Sequence, residues 1–142
     1  MTYKVGYTQG VFDMFHIGHL NLLKNAKELC EYLIVGINSD DLVRNYKHKS
    51  PVIPEEERAE IVRNIKCVDE VIISKTLDKM DMLNRVHFDV IFISDDWKGN
   101  DRWKRTEIEM SRNGVDVIFL PHTRTISSTI LRTKISDRIT GL

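Results

Sequence analysis

The stretch "KVGYTQGVFDMFHIGHLNLLKNAKELCEYLIVGI", Lys4 to Ile37, sets an apolar run, a polar turn with aromatic residues, an amphipathic segment and a second apolar run end to end. "KVGYT" and "EYLIVGI" have strand length, and between them Leu20, Leu23, Ala26 and Leu29 or Cys30 fall on one helical face. The order is strand, helix, strand. Outward from this unit the alternation continues, with strand candidates at "VDEVII", "DVIFI" and "VDVIFL" and helical stripes at Ile61, Val62 and Ile65, then at Leu77, Met80, Leu83 and Val86. Pro54 followed by Glu55, Glu56 and Glu57 reads as a first helical turn, and Ser127, Ser128 and Thr129 offer a capped start to a last helix carrying Ile130, Leu131 and Ile135. Several strands are nearly continuous in β-branched and aromatic residues, the habit of strands buried on both faces of a parallel sheet. The expectation is an α/β fold: a doubly wound, five-stranded parallel sheet with right-handed crossovers, forming a single domain over residues 1–142.

In such a sheet ligands sit beyond the carboxyl ends of the strands, where strand order reverses. Three polar segments follow strands: "QGVFDMFHIGH" after the first, "SDDWKG" after the fourth and "PHTRTISST" after the fifth. They are expected to converge on one edge. The bulk numbers narrow what this edge can bind. With 42% hydrophobic and 30% charged residues and a formal net charge of zero, the chain is neither disordered nor built to wrap nucleic acid or coat an anionic membrane. Any anion site must be local. No window is apolar over bilayer length and the start lacks a signal peptide's pattern, so the expected place is the cytoplasm. Cys30 and Cys67 stand alone without metal-binding spacing and are read as packing groups, not a disulfide.

His16 and His19 lie at i and i+3 where the turn becomes a helix, so their rings face one spot, and Gly18 between them permits close approach. A helix start already offers unpaired N–H groups and a positive dipole. Histidines there can cap the helix, bind a metal or meet a phosphate. A metal would want a third ligand at a sensible spacing, and no companion cluster stands out. The chemistry that fits best is phosphoryl or nucleotidyl transfer, in which donors are needed at oxygens gathering charge around phosphorus. No Ser-His-Asp or Cys-His signature competes for a nucleophile's role.

"GVFDMFHIGH" resembles the Gly-x-Phe-Asp-x-x-His-x-Gly-His signature of the cytidylyltransferases, a branch of the HIGH-type nucleotidyltransferase superfamily. The likeness continues through "LVRNYKHKSPVIPEEERAEIVRNIKCVDEVI", "SDDWKG" and "TRTISSTILR", and within the family is greatest to bacterial enzymes that use glycerol 3-phosphate. It implies a Rossmann-like sheet that joins CTP to a phosphorylated alcohol, releasing pyrophosphate. By the same resemblance His16 and His19 contact the triphosphate, and Gly10, Val11 and Phe12 line the nucleotide while Asp13 fixes the turn. Lys47 and Lys49, in the loop after the second strand, would reach the acceptor phosphate and the CTP phosphates respectively, with Lys49 counted among the catalytic groups. Arg58 and Asp69 match charged family positions, and Lys66 stands where arginine is usual. Asp95 is assigned to the nucleoside and Trp97 to the acceptor pocket.

The last loop departs most from the family's Arg-Thr-x-Gly-Ile-Ser-Thr. His122 replaces the arginine, Thr125 replaces the glycine, and Arg124 stands two positions on. Thr123, Arg124, Ser127, Ser128 and Thr129 are assigned to the nucleotide, the hydroxyls at the helix start to its β- and γ-phosphates. Mg²⁺ is implied by the triphosphate, without a dedicated protein ligand, and a homodimer by the family's habit. The alternatives are phosphoethanolamine or phosphocholine as acceptor, ATP in place of CTP, or a nucleotide-binding module without turnover.

Overall fold

The computed structural model describes residues 2–124 and 127–140, without the side chains of 138–140. Thr125 and Ile126 of the last loop lie outside the described residues. Along the chain run β1 (Tyr3–Gly10), α1 (Ile17–Glu28), β2 (Cys30–Asn38), α2 (Asp40–Lys47), α3 (Glu55–Arg63), β3 (Glu70–Ser74), α4 (Lys79–Val86), β4 (Val90–Ser94), a 3-10 turn (Asp95–Trp97), α5 (Asp101–Arg112), β5 (Asp116–Leu120) and α6 (Ser128–Thr140). The five strands form one parallel sheet in the order β3-β2-β1-β4-β5. β1 sits at the centre, with Thr8 paired to Val35 of β2 on one side and Phe92 of β4 on the other.

Because strand side chains alternate, each inner strand feeds two cores. Leu33, Val35 and Ile37 of β2, with Val90 and Phe92 of β4, pack against Leu23 and Ala26 of α1 and Ala59 and Val62 of α3. Ile34 and Ile91 turn the other way, to Met82 of α4 and Trp103 and Met110 of α5. The sheet is therefore doubly wound, as the apolar runs imply. Cys30 is buried in the first core with Cys67 partly buried against it, and both are free thiols.

The helices differ from the sequence reading in four places. Ile61 is 41% exposed and Ile65 follows the end of α3, whose buried face is Arg58, Ala59 and Val62. A buried arginine breaks the apolar stripe because its hydrogen bonds are met inside the protein. Pro54 occupies the cap position, one residue before the turn it was expected to open, with Glu55, Glu56 and Glu57 filling that turn. Leu77 precedes α4, whose start is set by Asp78 accepting from the Met80 N–H at 2.9 Å. Helices α2 and α5 carry too few apolar residues for a periodic signal, burying only Val43 and only Trp103 and Met110 respectively. Consequently Lys47 ends a helix, and Lys49 follows its left-handed cap His48, where a loop was expected to hold both. Among the described residues no helix is long and apolar enough to cross a membrane.

Candidate active site

A cleft of about 250 Å³ opens at the carboxyl ends of the strands, where β1 separates β2 from β4 and strand order reverses. The three polar segments do meet there: Gly10, Val11, Phe12, Asp13 and His19 from the first, Trp97 from the second and Ser128 from the third line it. The end of α2 and the start of α4 complete the walls with Tyr46, Lys47, Lys49 and Lys79.

At one end stands His19, with His16 stacked against it and not itself on the cleft wall. His16 caps α1, its Nδ1 accepting from the Gly18 N–H at 3.0 Å, while the His19 Nδ1 accepts from the His16 N–H at 3.3 Å. This reciprocal box uses imidazoles where Ser and Glu are usual. An accepting nitrogen carries no proton, so the hydrogen-bond pattern assigns both neutral rings their proton at Nε2. The rings stack with centroids 3.8 Å apart, and Phe12 and Phe15 each lie 5.3 Å from His19. Burial in this aromatic stack, then the neighbouring His16, pushes the His19 pKa down to about 3, and burial lowers that of His16. Both rings are therefore neutral donors at pH 7. The His16 Nε2 is buried and has no hydrogen-bond partner among the described residues.

The loop that delivers them is strained and firmly tied. Phe12 and Met14 adopt left-handed backbone with φ of 52° and 48°. Buried Asp13 between them accepts from the N–H groups of Met14, Val52 and Ile53 and pairs with Arg132 of α6, and its carbonyl accepts from the Ser128 hydroxyl at 2.6 Å. Asp13 thus joins the β1 loop, the segment before α3 and the last helix. Arg58, 1% exposed, makes a second junction: its guanidinium donates to Ile53 O at 2.8 Å, Val11 O at 2.7 Å and Asp40 Oδ1 at 2.7 Å. Asp13 has both carboxylate oxygens doubly engaged, and each of the three Arg58 guanidinium nitrogens has a partner within the scaffold.

The opposite end is cationic and unpaired. Lys79 is 7% exposed and among the described residues donates only to Leu77 O at 2.9 Å, with its ammonium 5.4 Å from the Trp103 ring. Burial and then Arg102 push its pKa down to about 8, against a smaller opposing effect of Asp78. Arg102 lies 5.5 Å over Trp97, and among the described residues neither cation forms a salt bridge. Lys47, 5.8 Å from the Tyr46 ring, is held below the usual lysine range by partial burial and by Lys49 and Arg132. Lys47, Lys49, Lys79, Arg102 and Arg132 therefore line the cleft against a single carboxylate, Asp13, whose partners are already made.

Other residues singled out in the sequence lie around this cleft and not on its walls. Asp95 pairs with His122, whose side chain holds the Asp95 carboxyl below its usual range. Thr123 accepts from the Asn21 amide at 3.0 Å and so ties the β5 loop to α1, while Arg124 is exposed. Ser127 caps α6 by accepting from the Ile130 N–H at 3.0 Å, and Thr129 is exposed on its first turn. Asp69 bonds Lys27 and the Leu33 N–H toward the amino ends of β2 and β3, away from the cleft, a framework role. Lys79, Arg102, Trp103 and Tyr46 escaped the sequence reading, Lys79 for want of any local mark separating it from a solvated lysine.

A family model described as cytidylyltransferase-like matches residues 7–134. FAD synthase of Thermococcus kodakarensis is 40% identical over 115 residues, 80% of this chain and 76% of that protein. Glycerol-3-phosphate cytidylyltransferase of Bacillus subtilis is 36% identical over 137 residues, 95% of this chain and 96% of the relative. Among solved structures, a lipopolysaccharide core biosynthesis protein from Thermoplasma volcanium superposes with a TM-score of 0.72 at 27% identity, covering 87% of this chain and 99% of that one.

Proposed function

We propose that this chain, which belongs to the cytidylyltransferase-like family of nucleotidyltransferases, transfers a cytidylyl group from CTP to glycerol 3-phosphate, giving CDP-glycerol and pyrophosphate. The observation that carries the reading is the cleft's division of labour: neutral imidazole donors at one end, unpaired cations at the other, and among the described lining residues no free carboxylate between. Such a cleft suits two anionic substrates held together.

A phosphate oxygen of the acceptor attacks the α-phosphorus of CTP, a new P–O bond forms, and the bond to the bridging oxygen breaks as pyrophosphate leaves with the electron pair. The nucleophile is already an anion, so no general base is required. The Nε2–H groups of His16 and His19 donate to the oxygens on which charge gathers, preorganised by the box that fixes their other nitrogens. Lys49 and the first-turn amides of α6, with Ser127 and Thr129, bind the β- and γ-phosphates; Ser128 is occupied with Asp13. Asp95, Thr123 and Arg124 border the nucleoside. Lys47 and Lys79 hold the acceptor phosphate, Arg102 and Trp97 flank its alcohol, and a close, oriented approach replaces a bimolecular collision. Among the described residues no three carboxylate, imidazole or thiolate groups converge, so Mg²⁺ in this reading arrives on the nucleotide's phosphates. Its chemistry is neutralisation of phosphate charge. The working unit in this reading is a homodimer in the cytoplasm.

A cationic head group such as phosphocholine would meet Lys79 and Arg102 with no unpaired carboxylate among the described lining residues to balance it. Adenylyl transfer to a flavin phosphate is the second reading, favoured by the FAD synthase relatives and by the exposed ring of Trp97 as a stacking surface. One experiment separates them: pyrophosphate release and mass-spectrometric product identification with CTP or ATP against glycerol, ribitol, choline and ethanolamine phosphates and flavin mononucleotide. CDP-glycerol as the favoured product is expected; product from ATP and flavin mononucleotide alone overturns the cytidylyl assignment.

A further inference from the structure

A chain of buried polar groups runs from the middle of the sheet to the cleft, and its direction can be worked out atom by atom. Tyr7, 0% exposed, bonds Gln9 Oε1 at 2.6 Å, and Gln9 Nε2 bonds both Asn38 Oδ1 at 2.8 Å and the Thr76 carbonyl at 2.9 Å. Asn38 Nδ2 in turn bonds the Tyr46 hydroxyl at 3.1 Å. A backbone carbonyl only accepts, so the Gln9 group facing Thr76 must be the amide nitrogen. Everything else follows from that anchor. The Gln9 oxygen then faces Tyr7, which donates; the second Gln9 hydrogen goes to the Asn38 oxygen; and the Asn38 nitrogen donates to Tyr46.

Tyr46 is thereby an acceptor toward the protein, and its own hydroxyl hydrogen turns to the opposite in-plane position. No described residue accepts it, and Tyr46 lines the cleft with Lys79 and Arg102. Burial raises the phenol pKa, so the hydroxyl keeps its proton. Packing holds the anchor in place: a Cβ on Gly36 would lie 2.2 Å from the Tyr7 oxygen, so glycine is required beneath it.

We propose that Tyr46 is the specificity-determining donor of the acceptor subsite, locked in that polarity by the Tyr7–Gln9–Asn38 relay, and that it selects acceptors presenting an alcohol oxygen, a polyol phosphate, over those with an alkyl or trimethylammonium group there. This rests on the polyol-phosphate reading above and names the residue that enforces it. Tyr46 touches substrate; Gln9 and Asn38 are positioning residues that act through it.

The test is initial-rate kinetics with CTP, Mg²⁺ and either glycerol 3-phosphate or n-propyl phosphate, which lacks the hydroxyls. Tyr46→Phe should raise the KM for glycerol 3-phosphate about tenfold, the loss of one hydrogen bond, with the KM for CTP and kcat retained. It should also narrow the preference for glycerol 3-phosphate over n-propyl phosphate by the same factor. Asn38→Asp replaces a donor by a carboxylate that only accepts, which turns the Tyr46 O–H back into the protein. It should raise the acceptor KM in the wild-type background and add nothing in the Tyr46→Phe background. Additive effects, or an unchanged preference in Tyr46→Phe, overturn the proposal while leaving the polyol-phosphate reading intact. Should Asn38→Asp fail to fold, the Tyr46→Phe preference decides alone. A wild-type protein that neither binds nor turns over glycerol 3-phosphate overturns both.

Discussion

The two ends of the cleft handle charge in opposite ways. At the histidine end every group is tied: each imidazole has one nitrogen in the capping box, Asp13 has its backbone and arginine partners, and Arg58 has its oxygens. At the lysine end Lys79 and Arg102 rest on tryptophan faces, and among the described residues neither has a counter-charge. The first arrangement suits a reaction centre, because fixed neutral donors need no reorganisation as charge develops on phosphorus. The second suits a binding site, since an unpaired, partly desolvated cation gains most when an anion arrives. In the proposed reaction one end would serve the transition state and the other the ground state.

The sharpest way to separate them is His16→Asn. Asparagine caps a helix as well as any residue, so the Gly18 N–H stays satisfied and the fold is expected to keep its thermal midpoint. What disappears is the Nε2–H. Turnover should fall roughly 10²- to 10³-fold, the usual cost of one transition-state donor, with little change in nucleotide affinity measured by calorimetry. Equal losses in affinity and rate would mean that the ring binds ground-state phosphate like the lysines opposite.

Lys79→Met should give the reverse pattern, an acceptor KM raised roughly ten- to a hundredfold with kcat at saturation and the nucleotide KM little changed. The pH profile sharpens this. With its pKa at about 8, Lys79 loses its charge above that pH, so acceptor kcat/KM should fall with rising pH in the wild type. Lys79→Arg, always charged, should flatten the alkaline limb. A limb that survives in Lys79→Arg belongs to another group.

This contrast also marks what sequence could convey. Strands buried on two faces leave continuous apolar runs, so all five were legible with their order, and α1 shows its stripe plainly. The histidine end was legible too, because its key groups lie three residues apart on one helix turn. The lysine end was not, since Lys79 on α4 and Arg102 on α5 become neighbours only when both helices pack beneath the same side of the sheet. Helix α2 escaped for a related reason: with Val43 its only buried residue, tertiary placement and its Ser39 cap carry it, not periodicity. In the sequence Arg58 stands out only as a match to a charged family position, and its three convergent oxygens are what distinguish a buried junction from a solvated charge.

The smallest effect expected is on stability in mild acid, and it tests the tied end without any substrate. Burial lowers the pKa of both rings, His19 to about 3, while in the unfolded chain each titrates near the ordinary value of about 6.5. Between those values the unfolded state binds more protons, so stability is full above about pH 6.5 and declines as pH falls toward the folded value. Lowering the pH from 6.5 to 5 should remove roughly 1–2 kcal/mol, a window above that of the lowered carboxylates Asp69 and Asp95, whose contribution is lost only at lower pH. Denaturant unfolding at pH 6.5, 5.75 and 5 measures it, and His19→Gln should show a shallower decline. A nucleoside triphosphate, whose negative charge favours the imidazolium, should blunt the wild-type slope by raising the folded pKa of the rings it touches. If the slope is the same in wild type and His19→Gln, the stack titrates in the folded state as it does in the unfolded chain, and the neutral-donor assignment at the reaction end falls with it.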